Sequence, residues 1–186
     1  QAHFYDRNTQ SLTALDVGCG HGGTLAQLLD LGFQPENLVG IELTENRATE
    51  ARKRLPATTH IIEGDATTAD VPLKNFDVVQ QSTVFTSILD DTVQDRLAQR
   101  MWDLLKPGGV ILWYDFIYNN PNNKDVRGVP LSRIHQLFPG GRFSTRRVTL
   151  APPIGRRVAR ISPALYKTLN ALPFLRSHVF VAIAKL

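Results

Sequence analysis

The chain alternates short apolar runs with longer segments whose apolar residues recur at helical spacing. Short apolar runs typical of buried strands cover residues 12–17, 37–43, 59–65, 76–81 and 110–116. Helical periodicity, ended by proline or glycine, covers residues 22–32, 44–56, 90–109 and 130–141. This alternation of strands and helices predicts a parallel sheet with helices on both faces.

The last third of the chain follows a different pattern. Two runs rich in β-branched and aromatic residues, 143–152 and 178–186, predict two more strands. Residues 151–177 between them form a helical insertion punctuated by prolines. Because no ordinary crossover joins these strands, we expect an antiparallel edge on the parallel sheet. The length predicts a single domain over residues 1–186. We expect any lid ahead of the first strand to be absent or outside this chain.

A glycine-rich turn, "LDVGCGHGG", joins the first strand to the first helix. Gly18, Gly20 and Gly23 fit the dinucleotide pattern G-x-G-x-x-G, and Gly18, Gly20 and Gly22 fit the tighter G-x-G-x-G. In this context the turn lies at the carboxyl edge of the sheet, where open α/β sheets bind ligands. The glycines alone favour a nucleoside cofactor without deciding which one.

Three acidic residues at strand ends separate the candidate cofactors. Asp16 stands two residues before the first glycine, where a carboxylate suits a cationic ligand better than a pyrophosphate. Glu42 ends the second strand, where a carboxylate can accept both hydroxyls of a ribose, which either cofactor contains. Asp65 ends the third strand, where it can accept an exocyclic amine. A sulfonium nucleoside with an amino acid tail uses all three acids, so this set favours S-adenosylmethionine over NAD.

These motifs resemble those of the class I S-adenosylmethionine-dependent methyltransferases. The resemblance runs through "LDVGCGHG", "VGIEL", "GDA", "FDVVQQ" and "LKPGGVILWYDF", in that order. It implies a Rossmann-like, doubly wound α/β fold whose seven-stranded sheet has the order 3-2-1-4-5-7-6, with strand 7 antiparallel. Weaker similarity in "QSTVFTSILDD" and "DVRGV" points to bacterial members of the type 11 kind.

The resemblance also implies roles for individual residues. Gly18, Cys19 and Gly20 would pass beneath the amino acid tail, with Asp16 near its ammonium. The remaining candidate cofactor-binding residues are Gly22 in the glycine turn, Glu42 and the following Leu43 at the ribose, Asp65 and Ala66 at the adenine, and Gln81 near the sulfur.

Candidate acceptor residues follow the fifth strand. Asp115, at the end of that strand, is the best-placed general base for a hydroxyl or amine acceptor, and an ion pair or a helix cap explains it equally well. Candidate substrate-binding residues are Tyr114, Asn119, Asn120 and Arg127, although turn chemistry also explains the asparagines. His178 is predicted to be structural.

The distribution of charge narrows the acceptor class. The net charge is +4, yet residues 126–186 contain no Asp or Glu. The Lys and Arg residues of this segment therefore create a positive electrostatic field. This field favours a small-molecule, glycan or lipid-linked anionic acceptor, and it suggests contact with a membrane surface through the insertion. Nucleic acid is disfavoured because "QQST" follows the fourth strand instead of an "NPPY"-type tetrapeptide.

Composition and the absence of some motifs limit the remaining classes. Cys19 is the single cysteine and no apolar run could span a bilayer, so a cytoplasmic location is expected. No metal-ligand spacing is present, and no metal site is predicted. Two alternatives to a methyltransferase stay open: an NAD-dependent oxidoreductase, and a non-catalytic nucleoside-binding module of the same fold.

Overall fold

A seven-stranded sheet organises the part of the chain that the computed structural model describes, residues 8–119 and 123–186. The strands are β1 Ala14–Val17, β2 Leu38–Glu42, β3 His60–Glu63, β4 Phe76–Ser82, β5 Leu105–Phe116, β6 Gly141–Leu150 and β7 Arg176–Lys185. Their order is β3-β2-β1-β4-β5-β7-β6. Strands β1 to β5 are parallel to one another, and β7 is antiparallel to both β5 and β6. The predicted fold class and strand order are confirmed.

Helices cover both faces of the sheet. They are α1 Gly23–Asp30, α2 Glu45–Arg54, α3 Asp91–Leu104, α4 Leu131–Leu137, α5 Pro152–Ile161 and α6 Pro163–Asn170. Asp90 caps α3, because its side chain accepts the backbone N–H groups of Thr92 and Val93. One apolar layer packs with α1 and α2, and a second, larger layer packs with α3 and α4. The two layers cover the two faces of the sheet, and the carboxyl ends of the parallel strands form an edge between them.

The predicted helix over residues 90–109 is too long. Helix α3 ends at Leu104, and β5 begins at once with Leu105 paired to Phe76. Pairing resumes at Val78 with Val110, so residues 106–109 bulge out of the ladder. Pro107 has no N–H to donate to a helix or a ladder, which ends regular pairing at this point. The bulge belongs to the amino edge of the sheet, away from the predicted site.

The helical insertion lies at the carboxyl edge. Leu150 at the end of β6 pairs with Arg176 at the start of β7, and Ala151 N–H donates to Leu175 O at 2.9 Å. His178 of β7 in turn pairs with Phe116 at the carboxyl end of β5. Helices α5 and α6, which connect β6 to β7, therefore stand on the same side of the sheet as the glycine turn. No helix in the described ranges is long and apolar enough to span a bilayer.

Candidate active site

A cavity of about 590 Å³ opens at the carboxyl ends of β1, β2, β3 and β4. Its walls come from residues 17–20, 41–44, 64–67 and 82–84, together with Thr24, Arg47, Ser87, Ile88, Val93 and Leu97. Of the ten predicted cofactor-binding residues, seven line it: Gly18, Cys19, Gly20, Glu42, Leu43, Asp65 and Ala66. Asp16, Gly22 and Gln81 do not.

The glycine turn forms the floor of the cavity. The N–H groups of Gly18 and Cys19 both donate to Ile41 O, at 2.8 and 3.0 Å, which fastens the turn to the end of β2. Gly20 has φ +55°, in the left-handed region that favours glycine, and a Cβ at this position would have no atom within 4 Å. The turn therefore leaves open space above Gly20 where a ligand can approach the backbone.

Glu42 joins the glycine turn to the segment after β2. Its side chain is 5% exposed. Oε2 accepts Gly20 N–H at 2.9 Å and Oε1 accepts Thr44 N–H at 3.0 Å. Both carboxylate oxygens keep further lone pairs for ligand hydroxyls, because a carboxylate offers about four acceptor sites. Glu42 is thus fixed in orientation before any ligand binds.

Asp65 and its neighbours supply the wall that follows β3. Asp65 is exposed, and its Oδ1 accepts Thr67 N–H at 2.8 Å. Leu43, directly after β2, is 73% exposed, so its side chain offers a large apolar surface that a ligand can cover. Backbone, carboxylate and apolar groups therefore meet at this end of the cavity, a composition suited to a nucleoside.

Asp16 lies beneath the cavity. It is 2% exposed, and its Oδ2 has no hydrogen-bond partner among the described residues. Burial raises the pKa of Asp16 to about 7; the nearby Gln80 side chain lowers it in part, and the charge of Glu42 raises it. A buried carboxylate with an unused acceptor oxygen is an arrangement that a cationic ligand would stabilise.

The Cys19 side chain and Gly22 pack against β2 and the end of α2. Burial raises the pKa of the Cys19 thiol to about 12. A Cβ at Gly40 would lie 2.7 Å from Cys19 Sγ, so the thiol packs against the backbone of β2. A Cβ at Gly22 would lie 2.7 Å from Leu55 Cδ1, so this glycine permits close packing of α2. Cys19 therefore meets the cavity through its backbone.

Gln81, which the resemblance places near the sulfur, supports the turn after β4 in this structure. Its side chain is buried, accepts Val84 N–H at 3.0 Å and donates to Tyr114 O at 3.5 Å. These contacts support the turn after β4, where Thr83 adopts φ +59°. That value is costly for a β-branched residue. Gln81 therefore positions the cavity wall at 82–84 instead of forming it.

Asp115, the residue predicted as a general base, lies inside the described structure. Asp115 is fully buried and lines no described cavity. Oδ2 accepts Thr86 N–H at 3.3 Å and Oδ1 accepts Phe116 N–H at 3.0 Å. Burial raises the pKa of Asp115 to about 6, and these hydrogen bonds offset part of that effect. The carboxylate holds the 3₁₀ turn Phe85–Ser87 through Thr86 N–H.

Comparison with known proteins agrees with this geometry. A family model for the methyltransferase domain matches residues 14–109, which is more than half of the chain. The chain belongs to the class I S-adenosylmethionine-dependent methyltransferases. The cofactor of this family is S-adenosylmethionine.

Individual methyltransferases differ widely in their acceptors. The chain is 32% identical over 123 residues to 2-methyl-6-phytyl-1,4-hydroquinone methyltransferase of Synechocystis, covering 64% of this chain and 35% of that protein. It is 33% identical over 105 residues to fatty-acid O-methyltransferase of Mycolicibacterium smegmatis, covering 54% and 36%. It is 26% identical over 123 residues to the tRNA N(3)-cytidine methyltransferase METTL2 of Bos taurus, covering 62% and 32%. The match thus spans about a third of the length of these relatives.

Solved structures share the fold of this chain over almost its whole length. An S-adenosylmethionine-dependent methyltransferase from Mesorhizobium loti superposes with a TM-score of 0.69 at 18% identity, over 95% of this chain and 92% of that one. At such low identity the likeness shows the fold alone. It includes the region of β6 and β7, beyond the family match.

The predicted acceptor residues fall in two places. Tyr114 pairs with Ser82 of the cavity wall, stacks on His178 with ring centroids 5.2 Å apart, and has its hydroxyl 2.9 Å from Thr149 Oγ1. Asn119 and Arg127 line a separate cavity of about 520 Å³. There Asn119 Oδ1 accepts Gly128 N–H, and Arg127 forms an ion pair with Asp91. Asn120 lies outside the described residues.

Several lining residues were not predicted from the sequence. Thr83, Val84 and Ser87 form the wall after β4, and Arg47 of α2 lines the cavity near Thr44. A signal for the first group was available, because the residues directly after a parallel strand reach the carboxyl edge. Arg47 gave no such signal, since its helix resembles any charged surface helix.

Proposed function

We propose that this chain binds S-adenosylmethionine in the 590 Å³ cavity and transfers its methyl group to a small-molecule acceptor, a glycan or lipid-linked molecule included. The observation that carries the proposal is the preorganised Glu42. It is buried, oriented by two backbone N–H donors, and faces open space above Gly20. Such a carboxylate is suited to a pair of vicinal hydroxyls.

The residues around Glu42 fit the rest of this cofactor. Asp65 can accept from an exocyclic amine, and Leu43 can cover one face of a base. Asp16 offers a buried carboxylate oxygen toward a cation. Glu42 would serve the ribose of NAD as well, but a dinucleotide gives no role to Asp16 or Asp65, so these two acids disfavour NAD. When bound, S-adenosylmethionine supplies an electrophilic methyl group on a sulfonium.

The chain contributes mainly position to such a reaction. The turn at 82–84 and the neighbouring Tyr114 end beside the cavity, so they are placed to align an acceptor atom for in-line attack. His178 stacks on Tyr114, and burial lowers the pKa of its imidazole.

The relatives support a small, partly apolar acceptor. Two of them are named for methylating a phytyl hydroquinone and a fatty acid. The tRNA-modifying relative keeps RNA as the second candidate, and the acid-free residues 126–186 are the observation that favours it. Exposed apolar side chains among those cations, described below, favour the small apolar acceptor.

Calorimetry with S-adenosylmethionine, S-adenosylhomocysteine and NAD tests the cofactor. We expect binding of both sulfur nucleosides and none of NAD; equal affinity for NAD would overturn the assignment. Transfer of a labelled methyl group to lipid, glycan and RNA fractions of a bacterial extract then tests the activity. Tight cofactor binding without transfer to any fraction would indicate a non-catalytic module, and transfer confined to RNA would favour the second candidate.

A further inference from the structure

Helices α5 and α6 form an exposed surface at the carboxyl edge of the sheet. Helix α5 is anchored by the buried Val158 and Gly155, and a Cβ at Gly155 would lie 3.4 Å from Tyr166 of α6. Helix α6 is covered on one side by β6. Most of the other described side chains in this pair are exposed, so the pair has a second face that the rest of the described structure leaves uncovered.

Large apolar side chains are exposed in these two helices and directly after them. Ile161 is 76% exposed, Phe174 is 71% exposed and Leu165 is 41% exposed. These three lie within 14 residues of one another along the chain, at the junction of α5 with α6 and just beyond α6. Single exposed apolar residues are normal, but a group of them in one short segment marks an interaction surface.

Cations accompany these apolar residues without any nearby acid. Arg157, Arg160 and Lys167 are exposed, and no carboxylate of the described residues lies within ion-pair distance of them. The segment cannot supply such a partner itself, because residues 126–186 contain no Asp or Glu. We call Ile161, Leu165, Phe174, Arg157, Arg160 and Lys167 together the basic apolar surface.

This combination selects among the possible occupants. A nucleic acid would use the three cations but would gain little from exposed isoleucine and phenylalanine. A second copy of the chain would bury the apolar residues but would bring its own uncompensated cations against these. An anionic bilayer uses both, because apolar side chains insert at the headgroup boundary while Lys and Arg lie among phosphates.

We propose that the basic apolar surface docks the protein on an anionic lipid bilayer. Ile161 and Phe174 enter the boundary between headgroups and acyl chains, and Arg157, Arg160 and Lys167 contact lipid phosphates. The carboxyl edge of the sheet then faces the membrane. This inference goes beyond the proposed function, because lipid binding is measured without cofactor or acceptor and can fail while methyl transfer stands.

Sedimentation with vesicles tests the proposal. Wild-type protein is mixed with vesicles of phosphatidylcholine alone, or of phosphatidylcholine and phosphatidylglycerol in equal parts. We expect binding to the anionic vesicles that weakens as salt is added, and much weaker binding to the neutral ones. Replacing Arg157, Arg160 and Lys167 by Gln should lower binding about fivefold for each cation removed. Ile161→Ser with Phe174→Ser should weaken binding at all salt concentrations.

Matched variants elsewhere on the surface provide the control. Lys53, Lys74 and Arg96 are exposed and lie outside α5 and α6, and so do Leu31 and Leu89. Replacing Lys53, Lys74 and Arg96 by Gln removes the same number of charges, and replacing Leu31 and Leu89 by Ser removes a similar apolar area. Both sets of substitutions should leave vesicle binding unchanged. Thermal unfolding of each variant confirms that it is folded.

Four results would overturn the proposal. The first is no binding of wild-type protein to anionic vesicles, and the second is equal loss in the control variants, which would indicate unspecific attraction. The third is a dimer of wild-type protein that the Ile161→Ser, Phe174→Ser variant loses while vesicle binding persists; the surface would then join two copies. The fourth is vesicle binding that survives all substitutions, with tRNA binding lost in the Gln variant, which would assign the cations to nucleic acid.

Discussion

Glu42→Ala tests the central carboxylate of the site. The substitution removes the acceptor for Gly20 N–H and for Thr44 N–H, and it removes the group proposed to bind the ribose hydroxyls. Because Glu42 is 5% exposed, water replaces it poorly, and each hydrogen-bonding group left without a partner is destabilised. We expect S-adenosylhomocysteine affinity to fall by about 1–3 kcal/mol, which corresponds to roughly 5- to 150-fold in Kd.

The conservative Glu42→Gln separates the two contributions. Its amide oxygen can still accept one of the two backbone N–H groups, but the amide nitrogen cannot accept the other. The turn should therefore be partly held while affinity falls less than in the alanine variant. Titration calorimetry measures the affinity, and thermal unfolding of the ligand-free protein measures the loss within the turn itself.

A neighbouring glutamate gives the control. Glu63 pairs with Glu42 in the register of β2 and β3, but it is exposed and outside the cavity, with Arg52 at 3.9 Å. Glu63→Ala should leave cofactor affinity unchanged. An unaltered Kd in a well-folded Glu42→Ala variant, or an equal loss in Glu63→Ala, would refute the role given to Glu42.

Two further predictions concern enclosed groups. Asp115→Asn should lower the midpoint of thermal unfolding, because the amide cannot accept both Thr86 N–H and Phe116 N–H. Since Asp115 lines none of the described cavities, any methyl transfer should keep its pH profile, and loss of the acidic limb of that profile would support the general-base role. Cys19 should resist alkylation by iodoacetamide at pH 8 in the folded protein, since burial raises its pKa to about 12, whereas rapid modification measured by mass spectrometry would show that the turn opens.

The sequence predicts the elements of the fold better than the direction of individual side chains. The apolar runs and the glycine turn place Glu42 and Asp65 at one edge, because any residue ending a parallel strand reaches that edge. The strand order itself follows from the family resemblance. Glu42 and Asp65 line the cavity because of their position at the strand ends, and no specific packing contact is needed to bring them there.

Asp115 and Gln81 show where such reasoning ends. Each stands near the carboxyl end of its strand, so position along the chain favours a site role. For Asp115, the alternation of side chains along β5 determines its surroundings. Ile111, Trp113 and Asp115 share one face of β5, and the first two belong to the core packed by α3 and α4. Which face of a strand is buried at its end depends on the helices packed there, and those contacts are not visible in a local pattern.

The acids beneath the cavity also predict a proton-linked binding reaction. Asp16 has a pKa of about 7 instead of 3.8, because it is buried and because the negative charge of Glu42 opposes its ionisation. Without ligand, the folded protein therefore keeps this proton at pH 5 to 6, whereas the unfolded chain releases it. As pH rises from about 4 to 7, Asp16 should lower the free energy of unfolding by up to about 4 kcal/mol, with no further loss above 7.

A ligand cation beside Asp16 has the opposite effect on its pKa, because a positive charge stabilises the carboxylate and lowers the pKa. Binding of S-adenosylmethionine, whose ammonium the family resemblance places there, should then release a fraction of a proton near pH 6.5. Calorimetry in buffers of different ionisation enthalpy measures this release, and Asp16→Asn should abolish it. Proton uptake, or the same release in the Asn variant, would show that no cationic group of the ligand lies beside Asp16.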